Sequence, residues 1–490
     1  MASNIGTQQS EEKLSLWRKI GFGLGDIFGG GSGVVISFYY LYFLTDVVRI
    51  NPALAGTAFL VSKIYDAITD PFEGLLTDRT RTRLGRRRPY LLAGILLIFL
   101  SFFVLWYPVS FASEMGRFAF TLGAYLFFST VVSIVMVSYN ALASEMSLDY
   151  HERTSISTSR IFFSTVSSIL SAVLPLEIVK LFPDVRSGYI AMGLIFGAFY
   201  ALPFIITVAV TRERAEFQKP ITHGIDLRDM FIRPFQVRAF VHVLFMYLLA
   251  FTAMDTVSSI VIYFMKYYLQ RGSEANYVSG TLLVAQVASL PLYAAISRRT
   301  SKRAGYLVGA IIWVLTMLTS FLITPSAPSW AVYVFAAMVG VGTGGIVLMI
   351  YAIFPDIPDI DELRSGERRE GTYSALVTFM RKFSSAIAIF IVSNLLSAAG
   401  YVQPVEQVVN GASTLVEQPQ SPLFLNTLRI ILAAAPILLV GLAIVFAWQY
   451  PLSPQRHARL NRILSARRQG EPESPEMQAE AQDLTRRLIG

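Results

Sequence analysis

Two aspartates, Asp66 and Asp70, stand four residues apart in the stretch KIYDAITDP, with Thr69 beside the second. On a helix this spacing puts both carboxylates on one face, about 6 Å apart at Cβ. Two ionised carboxylates so placed repel, and a proton or a small hard cation taking oxygen ligands relieves the repulsion. A cation site is the direct expectation, set against a pair that merely caps a hydrated helix end. Four more ionisable residues fall inside apolar stretches: Asp26, Arg160, Asp255 and Lys382. Each costs on the order of several kcal/mol in a bilayer unless it is paired, hydrated or ion-bound. Lys382 lies in the second half of the chain and the paired aspartates in the first, so a contact between them would form and break as the halves rock. Asp26 follows glycines near a helix end and reads as an inner gate or cap as readily as a ligand contact. Asp255 reads equally as a gate. The four histidines (His151, His223, His242, His457) show no metal-ligand spacing, and the absence of cysteine removes disulfides, thiolate metal centres and thiol nucleophiles. No catalytic residue, enzyme activity or cofactor is expected, only a coupling ion, sodium or a proton.

The elements that must position these residues are membrane spans. Of 490 residues, 54% are apolar and 15% charged, and the mean hydropathy is +0.52. A soluble chain is about one quarter charged. The apolar residues gather into twelve stretches long enough to cross about 30 Å of hydrocarbon: 20–45, 53–77, 89–112, 117–143, 155–182, 187–211, 236–268, 275–298, 305–325, 329–354, 372–400 and 423–449. Residues 1–19 are polar and carry no signal-peptide pattern. Six arginines fill the loop from Asp78 to Pro89, and Arg298, Arg299, Lys302 and Arg303 follow the eighth span, whereas TPSAPSW after the ninth has no positive charge. Positive loops stay inside, so both termini are expected in the cytoplasm, and the net charge of +8 reflects topology rather than nucleic-acid binding.

A polar connection, 212–235, separates two blocks of six spans, 20–211 and 236–449, and a tail rich in Arg, Glu, Gln and Pro follows over 450–490, where two short amphipathic helices near the membrane are expected. The loops after spans two and eight share a pattern, RTRTRLG from Arg79 and RTSKRAG from Arg299, at a constant offset of 220. Duplicated six-helix halves with a midplane site define an all-α polytopic membrane protein of the major facilitator fold. Glycines 29, 30, 31 and 33 in the first span and 340, 342, 344 and 345 in the tenth allow close helix approach or local unwinding. The aromatic run FYYLYF offers a surface on which a ligand could stack, though interfacial aromatics are common.

With these segments in view, the chain resembles the glycoside-pentoside-hexuronide:cation symporter family, of which melibiose permease is the best-known member. The resemblance covers nearly all of residues 18–450, through KIGFGLGD, FLTDVV, YDAITDP with LLTDRTRTRLGRRRPYLL, YNALASEMSLDYHERT and PDIPDIDELRSGERREGTYSALVTFMRK. It implies a coupling-cation site of Asp66 and Asp70, sodium-binding where the ion is a metal, helped by Thr69 and Ser133. It aligns Arg160, Thr378 and Lys382 with substrate-site positions. The family's sugar-clamping carboxylates align with Gly30 and Met136, and its tryptophans near the sugar with Asn140 (or Tyr139) and Val347. Donors kept without those acceptors imply an anionic or amphipathic solute.

The implied activity is cation-coupled symport of a sugar, glycoside or uronide-like solute by alternating access, in a bacterial inner membrane and as a monomer. Transport of a lysophospholipid or other amphiphile is the alternative, and a non-transporting sensor a more remote one. In this scheme Asp78, Arg79, Arg83, Gly85 and Arg87 form an inner latch; the opposing reading of that loop is topology alone.

Overall fold

The computed structural model describes residues 14–147, 150–211, 213, 232–366, 369–409, 412–469 and 474–489. Eleven helices in it are long and apolar enough to cross a membrane. The first span is Leu16–Tyr40, and spans three to six are Arg88–Leu105, Glu114–Glu145, Tyr150–Lys180 and Val185–Val210. Spans seven to twelve are Arg238–Tyr268, Ala275–Arg299, Lys302–Leu322, Ser329–Ile353, Glu370–Ala398 and Pro422–Gln449. The helix Pro52–Arg79 stands in second place; its 28 residues suffice for the bilayer, but its charged residues hold down its hydropathy. That helix is the one carrying Asp66 and Asp70.

Local chemistry sets the span ends. Asn51 accepts from the Ala53 amide at 2.9 Å with Pro52 at the first helical position, and Ser113, Ser301 and Ser421 cap spans four, nine and twelve in the same way. The third span stops at Leu105 rather than 112, because Trp106 leaves helical geometry just ahead of Pro108. The first span is irregular: it breaks at Leu24 and Gly25, then passes through π-helical turns at Ile36–Tyr40 and Phe43–Val47. Its aromatic run is core and not a ligand platform. Tyr39, Tyr40 and Phe43 are buried, with Tyr40 and Phe43 packed against Trp106 at ring separations of 5.3 and 5.1 Å.

Contacts divide the chain into two compact units. The first is Met1–Thr222 with Val402–Pro419, and the second is His223–Tyr401 with Gln420–Gly490. Most of the 212–235 connection lies outside the described residues. The segment between spans eleven and twelve adds a short hairpin to the helical fold. Val405–Val409 pairs antiparallel with Ala412–Val416, and this hairpin belongs to the first unit although the helices on either side belong to the second. Glu406 on it receives Arg49 at 2.8 Å and Arg186 at 3.4 Å.

The tail forms two helices, Pro454–Arg468 and Pro475–Leu488, which fold onto the short helix Asp356–Ser365 of their own unit. Arg467 donates to the Leu363 carbonyl at 2.8 Å, and Arg468 reaches Glu362 and Asp359. Leu460, Ile463, Leu484 and Leu488 are buried, so the apolar faces expected at a membrane surface are covered by protein instead.

Except at Gly33, which faces open space, the glycine runs are close-approach sites. A Cβ on Gly30 would lie 2.1 Å from the Ser164 hydroxyl of span five, and one on Gly340 would lie 2.1 Å from the Leu282 carbonyl of span eight. The second obstacle is backbone and cannot rotate away. Gly340→Val is therefore expected to lower stability by about 1–3 kcal/mol or more, read as a fall in the melting temperature of the detergent-solubilised protein; an unchanged midpoint would refute the packing role.

Candidate functional site

Span two presents Lys63, Asp66, Asp70 and Glu73 along one helical face, since the spacings of three, four and three keep them within one stripe. Span four meets that stripe with two serines also four residues apart. Ser129 donates to Asp66 at 2.6 Å and Ser133 donates to Asp70 at 2.6 Å. Asp66 is only 2% exposed and also accepts from Lys63 Nζ at 2.6 Å. The expected repulsion between two bare carboxylates is therefore already reduced at Asp66 by an ammonium from one turn earlier. The same Nζ lies 3.3 Å from the Ser129 hydroxyl. Between the two carboxylates in sequence, Thr69 has a buried hydroxyl with no hydrogen-bond partner. Asp70 thus meets a serine hydroxyl from span four, and the next residue before it on the helix carries an unpartnered threonine hydroxyl. Such a donor set fits a hard cation or a proton. Among the described residues no group of three His, Cys, Asp or Glu is placed to hold a metal ion, so hydroxyl oxygens would have to complete any metal shell at this face.

Three of the remaining intramembrane charges, Asp26, Arg160 and Asp255, fall into two pairs, one in each unit, the second completed by Arg381. Arg160 Nε donates to Asp26 Oδ2 at 2.6 Å, its Nη2 donates to Asn140 Oδ1 at 2.6 Å, and the guanidinium lies 4.8 Å from the centre of the Tyr139 ring. In the second unit Arg381 holds Asp255 through both terminal nitrogens, at 2.5 and 2.8 Å, with its guanidinium 5.0 Å from the Phe251 ring. Spans one and five carry the first pair, spans seven and eleven the second, which are corresponding places in the two six-span blocks. Asp26 and Asp255 are thus partners of arginines inside their own unit, where the sequence suggested separate gates.

The other expected substrate residues divide into packing and accessible positions. Gly30 is pressed against Ser164, which leaves no room for a side chain there. Tyr139 is fully buried, donates to the Phe22 carbonyl at 2.7 Å and stacks on Phe22 at 4.5 Å, so it supports Arg160 from behind. Asn140 is exposed, and Met136 and Val347 are half-buried. Thr378 is exposed and bonded to the Ser374 carbonyl at 2.8 Å, while Lys382 is half-buried beside Arg381.

The loop between spans two and three is built around a residue the sequence reading passed over. Glu213, just past span six, accepts from the backbone amides of Arg86, Arg87 and Arg88 at 2.6, 2.6 and 2.9 Å, a carboxylate seated on a helix N-terminus. Gly85 makes the approach possible. Its φ is +107°, and a Cβ would come within 2.5 Å of the Glu213 carboxyl. Arg86 pairs with Glu145 of span four at 2.7 Å, and Arg87 donates to Thr77 at 2.7 Å. Of the expected latch, Gly85 and Arg87 belong to this knot and Arg79 and Arg83 are exposed; the Asp78 side chain lies outside the described residues. Lys63, Ser129, Arg381 and Glu213 were all missed, though the four-residue spacing of Ser129 and Ser133 could have been matched to that of the aspartates.

A polytopic bundle with buried ion pairs, a carboxylate–hydroxyl face and a duplicated basic loop defines a membrane transporter rather than an enzyme. The chain belongs to the MFS/sugar transport protein family, whose model matches residues 21–454. It is 27% identical to an uncharacterised symporter of Synechocystis sp., over 94% of this chain and 98% of the relative. It is likewise 27% identical to an isoprimeverose transporter of Lactiplantibacillus pentosus, over 78% and 80%. In fold it matches the crystal structure of a D-xylose–proton symporter with a TM-score of 0.63 at 14% identity, covering 89% of this chain and 97% of the other.

Two substitution experiments test this geometry. Asp255→Asn and Arg381→Gln should each cost about 3–5 kcal/mol, because each strands a buried charge, whereas the double variant should recover most of the loss; additive losses in a thermal melt would contradict the pairing. Glu213→Ala should cost about 1–2 kcal/mol through three unsatisfied amides, and an unaltered melt would contradict its capping role.

Proposed function

We propose that this protein is a secondary active symporter that couples a cation, sodium or a proton, to the movement of a neutral sugar or glycoside across the plasma membrane, as a monomer with both termini in the cytoplasm. The observation that carries the coupling reading is the match of two carboxylates on span two, Asp66 and Asp70, to two serine hydroxyls on span four, on a helix that also holds the unpartnered Thr69 hydroxyl. A buried hydroxyl without a partner costs about 1–3 kcal/mol, and an arriving ion removes that cost. Lys63 is a built-in cation on Asp66. An ion entering at Asp70 competes with it for the shared face, so loading reorganises the ammonium and the serine hydroxyls of span four together.

The substrate side is read from the arginine pairs. Gly30 and Met136 pointed to an anion, on the ground that donors remained without acceptors. Asp26 beside Arg160 supplies an acceptor, and Asp255 beside Arg381 supplies a second. Each pair is neutral overall yet offers both donor and acceptor edges, which matches hydroxyl groups better than a formal negative charge. Asn140 and Thr378 add accessible amide and hydroxyl groups. The isoprimeverose transporter among the relatives supports the same class. Binding that orders both faces lowers the barrier to closure only when ion and solute are present together, and that differential stability is the coupling.

The test is uptake into proteoliposomes of labelled neutral glycosides, uronides, a sulfosugar and lysophosphatidylcholine under imposed sodium or proton gradients, with Asp66→Asn, Asp70→Asn and Thr69→Val alongside. Gradient-driven glycoside uptake should fall at least about tenfold in both aspartate variants, the loss of a charge-assisted contact, and the effective gradient assigns the ion. Uptake indifferent to gradients and substitutions would refute the cation site. Preference for uronides would restore the anionic reading, and preference for lysophosphatidylcholine the amphiphile one.

A further inference from the structure

The second unit contains a cavity of about 250 Å³ where the loop between spans eight and nine meets the start of the tail. Its position corresponds to the Glu213 knot of the first unit, and the two can be compared part by part. In the first unit a basic residue at the start of span three, Arg86, pairs with an acid at the end of span four, Glu145. In the second unit Lys302, at the start of span nine, pairs with Asp356, just past the end of span ten, at 2.7 Å. The third member differs. In the first unit the segment after span six brings a carboxylate, Glu213, onto the amides at the start of span three. The segment after span twelve brings Tyr450, Ser453 and His457 to the corresponding cavity, and no carboxylate.

The cavity wall carries one carboxylate, Asp356, and more donors than it occupies. Arg298 and Arg303 make no ion pair or hydrogen bond among the described residues. Tyr450 is 4% exposed, and its hydroxyl is buried with no hydrogen-bond partner. Two helices begin at the wall, span nine behind its cap Ser301 and the tail helix Pro454–Arg468 behind its cap Ser453, and each cap accepts from a single amide. Their N-termini add positive partial charge to the two arginines. Asp356, on the same wall, pairs with Lys302 at 2.7 Å and lies 3.6 Å from His457 Nε2, and no ion pair joins it to either arginine among the described residues.

We propose that this cavity binds a phosphate group, in the place that Glu213 fills by covalent connection in the first unit. A tetrahedral oxyanion with several acceptor oxygens can receive Arg298, Arg303, the Tyr450 hydroxyl and helix amides from different directions at once, which one carboxylate cannot. The phosphate belongs either to a lipid headgroup or to a free phosphate. Occupied, the site ties span nine to the tail, as Glu213 ties span three to the end of span six. The inference does not depend on what the protein transports.

The test uses the purified full-length protein. Inorganic phosphate is titrated against its thermal melt in detergent, with sodium chloride at equal ionic strength as the control. In parallel the protein is placed in phosphatidylcholine nanodiscs with and without phosphatidylglycerol. Stabilisation by phosphate over chloride, lost in Arg303→Gln, weakened about tenfold in affinity in Tyr450→Phe and retained in Arg299→Gln, supports a free-phosphate site. The same variant pattern seen only with phosphatidylglycerol supports a headgroup site. Tyr450→Phe removes one oxygen from a packed ring, so it keeps the test valid where Arg303→Gln fails to fold. No stabilisation of the wild type by either probe overturns the proposal. So does stabilisation that Arg303→Gln and Tyr450→Phe share equally with the wild type, since that would be charge screening.

Discussion

A charge inside an apolar bundle must find its counter-charge close by, and the pairings within the spans and at their ends follow from that constraint. Asp26 meets Arg160, Lys63 meets Asp66, Arg86 meets Glu145, Asp255 meets Arg381 and Lys302 meets Asp356. Each of these pairs lies wholly within one of the two compact units. Desolvation is thus offset locally, and either unit can move as a body without stranding a charge in hydrocarbon. A transporter that works by rearranging two halves needs this property. Had the counter-charges been divided between the units, every cycle would have to break a buried ion pair, at a cost of about 3–5 kcal/mol for each charge left alone.

The internal repeat gives those pairs a second meaning. Spans one and five, and again seven and eleven, carry an aspartate–arginine pair with an aromatic ring near the guanidinium, so duplication preserved an arrangement that a sequence offset barely registers. The departures from symmetry are more informative. Span two carries Lys63, Asp66, Asp70 and Glu73, whereas span eight, Ala275–Arg299, has no acidic residue at all. The paired carboxylates therefore belong to one half, while an aspartate–arginine pair is present in both.

The spans, their order and the Asp66–Asp70 face were legible in the sequence because hydropathy and a four-residue spacing are local signals. What stayed hidden depended on which way a helix faces. Arg381 and Lys382 are adjacent, and on a helix that is a turn of about 100°. Only the packing of span eleven against span seven decides that Arg381 meets Asp255. Matching to relatives position by position had a related blind spot. The loss of a carboxylate at Gly30 read as the loss of an acceptor, yet Asp26 supplies one from the preceding turn of the same irregular span. The hairpin at Val405–Val409 was illegible for another reason: its partners Arg49 and Arg186 are far away in sequence, and a short strand pair between two spans leaves almost no periodic trace.

Lys63 changes how coupling must be understood. Two bare carboxylates would demand an ion at all times and would hold it tightly. With Lys63 on Asp66, the face already carries one positive charge in the absence of any ion, so the free-energy gain from loading is smaller and the ion can leave as well as arrive. Occupancy by a tethered cation also fixes Ser129, which both Lys63 and Asp66 contact, and through span four the neighbouring Ser133 against Asp70. An ion that displaces or shifts the ammonium is therefore read out by two helices at once. In the proposed cycle, weak net binding joined to a local rearrangement would convert an ion gradient into a conformational bias, and the lysine one turn before the first aspartate would set both.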